Sequence, residues 1–243
     1  MDRLPEQTSP HGVPTDEDLV KVTNFVADLI KTYRVWRNLF VESEERVNFL
    51  NQADPRFFGF LQRCLWERLV LGVCRVLDPP ETKTKRGKVY NLSIPFLKKS
   101  LRDPEKEQVQ GLLGSIKTEH DRLKTRRDKI HAHNDRETMQ DIQSLDPVFA
   151  ADLEKTIRVI ADCHSLIFSQ IRDSEIDIFW QSRSAFELDL LELLYRGQVH
   201  KEAEVAEKQS LKGEDLFTFH ASRHRPAEFI RQPRWEKPRK PQN

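Results

Sequence analysis

Residues 15–40, TDEDLVKVTNFVADLIKTYRVWRNLF, carry the pattern that decides the fold class. Apolar side chains recur in steps of three and four along this stretch, so they would share one face of an α-helix. Thr15 and Asp18 have the spacing of a capping box, in which each side chain binds the other residue's backbone amide. The stretch therefore predicts a long amphipathic helix with one buried face. Its apolar residues are Leu19, Val22, Val26, Leu29, Ile30, Tyr33, Trp36 and Phe40.

Asp-Pro pairs stand at three further points where an apolar helical pattern begins. Asp can accept a hydrogen bond from an unpaired backbone amide at a helix start, and proline fits the first helical position because it has no N–H to leave unpaired. With the apolar spacing, these pairs predict helices over 55–77, over 104–131 and from 146 to about 171. The pairs are Asp54-Pro55, Asp103-Pro104 and Asp146-Pro147.

Shorter elements are expected between and after these helices. Ser93 is expected to cap a short helix that runs through residue 100, and a last helix over 184–196 is expected to close at Gly197. The polar, basic residues 79–92 are expected to form an exposed loop. The alternating stretch 176–180 is not interpreted as a strand, because a lone strand has no partner. The predicted fold is an all-α helical bundle of about five to six helices.

The pattern divides the chain into three parts. Residues 1–14 are expected to be a disordered N-terminus, residues 15–207 the helical domain, and residues 208–243 a basic, flexible tail. Phe229 and Trp235 in that tail offer stacking faces for nucleic-acid bases, although a solvated terminus explains the same composition.

Composition excludes several classes of protein. The 243 residues include eight glycines, and no stretch has the spacing of a phosphate-binding P-loop or a dinucleotide-binding motif. The three cysteines form no CxxC pair, which favours a reducing compartment, and Cys64 and Cys74 are expected to be core thiols. No apolar run is long enough for a membrane span, and the N-terminus has no apolar signal-peptide core. We therefore expect a cytoplasmic protein without cofactor, metal or membrane contact.

The stretch 117–136, KTEHDRLKTRRDKIHAHNDR, holds the densest group of residues able to carry chemistry. One hypothesis is a metal site formed by His131, His133 and Asp135. On a helix, however, residues two apart point about 200° from each other, and no HExxH motif or cysteine completes a ligand set. The metal hypothesis is therefore weak.

A second hypothesis is a solvated helix end, because Arg and His near a helix C-terminus interact favourably with its free carbonyl groups. It explains less about Arg127. Steps of four from Leu123 and of three to Ile130 place Arg127 on the apolar stripe of the predicted helix. A guanidinium there requires an ion pair or a subunit junction.

A third hypothesis is a ribonuclease site. The run from Arg127 to His133, RDKIHAH, resembles the Arg-x(4–6)-His motif of the HEPN superfamily, in which Asn, Asp or His usually follows the arginine. Four Arg–His pairs in the chain have an allowed spacing, but only Arg127–His133 has the polar second residue. The pair Arg158–His164 is interpreted as a chance match, with His164 lining a core stripe.

The region of roughly 16–200 resembles the branch of HEPN proteins grouped with abortive-infection proteins of the AbiU type. Beyond the motif, the resemblance rests on the opening helix with Trp36, on the runs RVLDP at 75–79 and NLSI at 91–94, and on AHND at 132–135. It implies an all-α bundle, a homodimer in which two motifs face each other, and metal-independent cleavage of RNA. It also implies phage defence or a toxin–antitoxin system, with an antitoxin as a further partner.

The resemblance makes Arg127, Asp128 and His133 the catalytic residues, with His131 and Arg126 in reserve. A histidine can move protons near neutral pH, an arginine can stabilise charge on the reacting phosphate, and Asp128 would orient one of them. On an unbroken helix, His131 lies about 40° from Arg127 and His133 about 120° from it. The helix must therefore unwind or kink near its end, or the two residues must meet across the dimer.

Basic side chains near the motif and in the 79–92 loop are expected to contact RNA. The alternative is a catalytically inactive HEPN module that serves as an RNA-binding or scaffold subunit, in which Arg127 could be locked in an internal ion pair. The residues expected to contact RNA are Lys83, Lys85, Arg86, Lys88, Lys124, Arg126 and Lys129.

Overall fold

The computed structural model describes residues 12–84, 87–131, 145–174, 176, 178 and 186–210. These residues contain eight α-helices and one antiparallel hairpin, which confirms the helical class and corrects the expected five to six helices. The helices are α1 (Asp16–Phe40), α2 (Glu44–Ala53), α3 (Pro55–Leu77), α4 (Ile94–Leu97), α5 (Asp103–Gly114), α6 (Lys117–Arg126), α7 (Ala150–Arg172) and α8 (Phe186–Ser210). The chain divides into two compact units, Met1–Leu188 and Asp189–Asn243.

Helix α1 forms as the sequence predicts. The backbone amide of Thr15 donates to Asp18 Oδ2 at 2.9 Å, and the amide of Asp18 donates to Thr15 Oγ1 at 3.2 Å, which completes the capping box. The apolar face from Leu19 to Trp36 is buried, and Phe40 is partly buried against the same core. This core also takes side chains from α3 to α7, so α1 is a central helix of the first unit.

Helix α3 begins and ends where the Asp-Pro pattern predicts. The Asp54 carboxylate accepts hydrogen bonds from the amides of Arg56 and Phe57, both at 3.0 Å. The helix packs closely on α1: a side chain at Gly72 would come within 3.0 Å of Leu29 Cδ1. This close packing fixes the last turn of α3, which carries Asp78 at its C-terminal cap.

The two cysteines of α3 differ in exposure. Cys74 is fully buried, as expected, and burial raises the pKa of its thiol to about 12. Cys64 is exposed, so its placement in the core was wrong. It lies in the N-terminal half of α3, where Phe57 and Phe60 are also exposed although Phe58 is buried, so not every apolar residue there faces the core.

Part of the expected loop at 79–92 is a hairpin of strands β1 (Glu81–Thr84) and β2 (Gly87–Tyr90). Its strands are largely exposed on both faces, so no alternation of apolar and polar residues marked them in the sequence. Gly87 has φ of 121°, a conformation that side chains other than glycine rarely adopt. Its presence three residues after Thr84 was the available turn signal.

The helix predicted over 104–131 is divided. Helix α5 ends at Gly114, Ile116 is fully buried at the break, and α6 begins at Lys117. Apolar spacing continues across the break, which is why periodicity alone predicted one helix. Asp103 is the first residue of α5 and no side chain caps this helix start, so only the proline half of the expected device is present.

Short elements complete the first unit. Ser93 caps α4 as predicted, accepting a hydrogen bond from the amide of Phe96 at 3.3 Å. A 3₁₀ turn over Lys98–Ser100 follows α4, and a π-helical turn over Arg127–His131 follows α6.

Helices α7 and α8 differ from prediction at their ends. Helix α7 begins at Ala150 rather than at Asp146-Pro147, and Asp152 accepts a hydrogen bond from the amide of Phe149 at 3.2 Å. Helix α8 continues through Gly197 to Ser210, so the expected helix end at that glycine was wrong. Gly197 does not adopt a positive φ, so it does not form the left-handed cap that was predicted.

The expected tails at 1–14 and 208–243 lie mostly outside the described residues, as does the stretch 176–180, and the domain boundaries stay predictions. Among the described residues, no helix combines the length and the apolar character needed to cross a bilayer.

Candidate functional site

The end of α6 carries the candidate motif. Regular α-helical winding stops at Arg126, and Arg127–His131 form a π-helical turn. A π turn has a wider backbone hydrogen-bond spacing than an α-helix and is frequent at functional sites. The helix therefore changes its winding within the motif, which is one of the two ways in which Arg127 and His133 were expected to meet. Whether those two side chains meet lies outside the described residues.

Arg127 is held by two carboxylates of its own chain. Its Nη1 donates to Asp78 Oδ1 at 2.9 Å, and its Nε donates to Asp128 Oδ1 at 2.8 Å. The side chain is 21% exposed, so the guanidinium sits at the edge of the core without being sealed in it. Burial lowers the pKa of Arg127, but the hydrogen bonds with Asp128 and Asp78 outweigh it and raise the pKa above its usual value. These ion pairs explain how an arginine is accommodated on the apolar stripe.

Asp78 is a site residue that sequence analysis missed. In the sequence it was used only as part of the run RVLDP at 75–79, on which the family resemblance rests. The structure places it at the C-cap of α3, against the end of α6, where it binds Arg127. Its position after a helix that packs on α6 was the relevant signal, but the sequence does not say which helices are neighbours.

His120 is a second residue that was not predicted, because the motif places its histidine after the arginine. It precedes Arg127 by seven residues, so both lie on nearly one face of α6, about 20° apart. The side chain is partly buried. Burial is the main cause that lowers the pKa of His120; the charges of Asp78 and Arg127 act on it in opposite directions. The His120 imidazole is therefore close enough to Arg127 and Asp78 for both charges to affect its pKa.

Replacing Arg127 with glutamine should raise the pKa of His120, because a positive charge that disfavours the imidazolium is removed. Replacing Asp78 with asparagine should lower it, because a favourable negative charge is lost. NMR titration of the His120 ring, assigned with His120→Gln, measures both shifts. Arg122→Gln on the opposite face of α6 is the matched control and should leave the pKa unchanged. Equal pKa values in wild type and Arg127→Gln would contradict this electrostatic coupling.

The remaining candidate catalytic residues are only partly described. His131 ends the π turn by its backbone, and His133 and Asp135 lie outside the described residues. Their roles, and the metal hypothesis that uses them, therefore stay predictions. In the described part of the chain, no group of three His, Cys, Asp or Glu side chains is placed to hold a metal ion.

Arg126, one of the two residues kept in reserve, binds the backbone before α7. Its Nη2 donates to the carbonyl oxygen of Asp146 at 3.0 Å, which ties the end of α6 to the segment before α7. Lys124 and Lys129 are exposed and remain available for contacts with RNA.

The hairpin holds two of the basic residues expected to contact RNA. Lys83 and Lys88 are directly opposite each other across β1 and β2, so they share one face. Like charges in such a pair repel each other. Glu81 offsets this repulsion, because its carboxylate accepts a hydrogen bond from Lys88 Nζ at 3.1 Å. Lys85 and Arg86 lie outside the described residues.

The pair Arg158–His164 does not form a site. Arg158 is exposed and pairs with Glu154, whereas His164 is fully buried, as expected of a core residue. Thr23 Oγ1 donates its single hydrogen to the carbonyl oxygen of Leu19 at 2.8 Å, so it must accept from His164 Nε2, also at 2.8 Å. Nδ1 is then unprotonated, and it has no partner among the described residues.

Comparison with protein families matches residues 16–185 to the HEPN family described as AbiU2. This range is well over half of the chain and includes Arg127, Asp78 and Asp128 and all of α1 to α7. No curated protein and no solved structure gave a match. The family match confirms the resemblance found from the motif and its context: the chain belongs to the AbiU2 family of HEPN domains.

Proposed function

We propose that this protein is a metal-independent endoribonuclease acting on cytoplasmic RNA in phage defence or a toxin–antitoxin system. The observation that carries the proposal is the fixed guanidinium of Arg127 at the π turn, immediately before the histidines of the motif. Family membership, which links the chain to abortive infection, supports the biological setting. An antitoxin is the further partner we expect in that setting.

The chemistry requires few groups. The ribose 2′-OH is a nucleophile already next to the phosphate, so the protein must mainly move protons and stabilise charge. His133 would accept the 2′-OH proton or protonate the leaving 5′ oxygen, with His131 in reserve. Arg127 would bind the phosphate oxygens that gain charge in the transition state. The products would be a 2′,3′-cyclic phosphate and a 5′-OH end.

The Asp128 contact supports a positioning role for that carboxylate. It accepts from Nε of Arg127, which restrains rotation of the guanidinium about the end of its side chain. A guanidinium has five N–H donors. The contacts with Asp78 and Asp128 use two of them, so three remain for other acceptors. The two ion pairs are therefore compatible with phosphate binding. We further propose a homodimer that brings two such sites together over one RNA strand.

Incubation of the purified protein with mixed single-stranded RNAs in EDTA tests the proposal. We expect cleavage in the chelator, with 2′,3′-cyclic phosphate and 5′-OH ends. DNA and uniformly 2′-O-methylated RNA should stay intact, because neither has the nucleophile. Cleavage that EDTA abolishes would support the metal hypothesis instead.

A second candidate function is an inactive HEPN module that binds RNA or acts as a scaffold. The observation that favours it is the same double ion pair, because Arg127 is already neutralised by carboxylates of its own chain. Such a module would bind RNA without cutting it. Arg127→Lys would then leave RNA affinity unchanged, whereas it should weaken binding if Arg127 contacts the scissile phosphate.

A further inference from the structure

A groove of about 220 Å³ lies between α1 and α3, and its lining does not include Arg127, Asp128 or Asp78. Its lining combines an aromatic ring, apolar side chains and two arginines. None of its residues was assigned a functional role in the sequence. Those that matter here are Phe25, Asp28 and Thr32 from α1 and Arg68 and Arg75 from α3.

The two arginines of the groove are in different electrostatic states. Arg68 Nη2 pairs with Asp28 Oδ2 at 3.1 Å, and its Nε donates to Thr32 Oγ1 at 3.3 Å. These contacts neutralise Arg68. The described residues place no carboxylate in ion-pair contact with Arg75. The groove therefore has one uncompensated positive charge, at Arg75.

Arg75 is held in a way that leaves its donors accessible. Its Cζ lies 3.7 Å from the centroid of the Phe25 ring, as in a cation–π contact. Such a contact uses the flat face of the guanidinium. The N–H groups lie in the plane of the guanidinium and point outward from its edge, where an oxyanion can bind two of them at once. Stacking thus orients the group for phosphate without occupying its donors.

The position of Arg75 relates the groove to the candidate active site. Arg75 precedes Asp78 by three residues at the end of α3, and Asp78 binds Arg127. Side chains three apart on a helix are neighbours, about 5–6 Å apart at Cβ. The Arg75 side chain and the carboxylate that holds Arg127 therefore start from neighbouring positions at the same end of α3.

We infer that this groove is a phosphate subsite for the RNA strand, in which Arg75 binds a phosphodiester next to the one at Arg127. The inference rests on the proposed RNA substrate and names a residue that anchors it outside the Arg–His motif. Arg75 does not take part in proton transfer, so its contribution is to strand binding and register.

Equilibrium binding of a uniformly 2′-O-methylated single-stranded RNA of about 12 nucleotides, measured by fluorescence anisotropy over a range of KCl concentrations, tests the subsite. Each phosphate neutralised contributes about 0.7 to the slope of log K against log salt for single strands. Arg75→Gln should reduce this slope by about 0.7 and weaken binding equally for different sequences. Arg75→Lys should keep the slope, because the charge remains, but bind more weakly since the planar fork is lost.

Arg63→Gln is the matched control, since Arg63 is an exposed arginine on the same helix outside the groove. It should leave the slope at the wild-type value. An unchanged slope in Arg75→Gln, an equal loss in Arg63→Gln, or no RNA binding by the wild type would each overturn the inference. RNA binding that depends on Arg75 without any cleavage of unmodified RNA would preserve the subsite and reject the ribonuclease. Cleavage of unmodified RNA by the wild type, together with an unchanged slope in Arg75→Gln, would reject the subsite and preserve the ribonuclease.

Discussion

Replacing His133 with alanine is expected to slow RNA cleavage by roughly 10²–10⁴-fold, the usual loss when a general acid or base is removed. The measurement is the initial rate of cleavage of one defined RNA in EDTA. His131→Ala is the internal comparison, because His131 is two residues away and was kept in reserve. A normal rate in His133→Ala together with a large loss in His131→Ala would transfer the role to His131. Normal rates in both variants would exclude both histidines.

The arginine of the motif needs a milder substitution than alanine. Arg127→Ala also leaves Asp78 unpaired at the edge of the core, so it should lower the free energy of unfolding by roughly 1–2 kcal/mol, between the values typical of exposed and buried pairs. Arg127→Lys keeps a positive charge beside Asp78 but loses the planar fork. Its cleavage rate should fall strongly while Arg126→Lys, the same change one residue earlier, retains activity. Equal rates in the two lysine variants would argue against a catalytic Arg127.

Lowering the pH from 7 to 4 is expected to reduce the free energy of unfolding by about 3 kcal/mol through His164 alone. Burial lowers the pKa of His164 from 6.5 to about 4 in the folded protein. Between these values the unfolded chain binds a proton that the folded chain does not. The stability that the neutral imidazole provides is therefore fully present above pH 6.5 and lost as the pH falls towards 4. The unpartnered Nδ1 is the atom that would have to accept the proton.

Urea unfolding of wild type and His164→Gln at a series of pH values isolates this effect. Glutamine can still donate to Thr23 but does not titrate, so the pH dependence of its stability should be smaller by about 3 kcal/mol. Carboxylates such as Glu154, whose pKa is lowered mainly by its hydrogen bond with Arg158, contribute equally to both proteins. His200→Gln, which removes an exposed imidazole, should follow the wild-type profile. Parallel profiles for wild type and His164→Gln would contradict the prediction.

Local features of the fold were predictable where one short stretch determines them. The capping box at Thr15, the Asp54 cap and the Ser93 cap each depend on residues within a few positions, and all three form. The hairpin and the break at Ile116 were missed for a different reason. The hairpin buries little, and the break preserves the apolar spacing, so neither disturbs the pattern from which helices are inferred.

The candidate site was predictable only along the chain. The position of Arg127 on the apolar stripe indicated an ion pair, but the identity of its distant partner, Asp78, depends on how α3 packs on α6. His120 was missed because it lies two helical turns before Arg127, whereas the motif covers only residues after the arginine. Cys64 was misplaced for another reason: its helix is rich in apolar residues, but Cys64 lies on an exposed face of it.

The π turn at Arg127–His131 has a consequence for insertions and deletions in the motif. It contains one residue more per turn than α winding, and it directly follows α6. A chain shortened by one residue here can close the turn as ordinary α-helix, and the helical register before Arg127 is unaffected. The interval between the arginine and the histidine can therefore vary in length without a change in the register of α6, which fits a motif defined by a range of spacings.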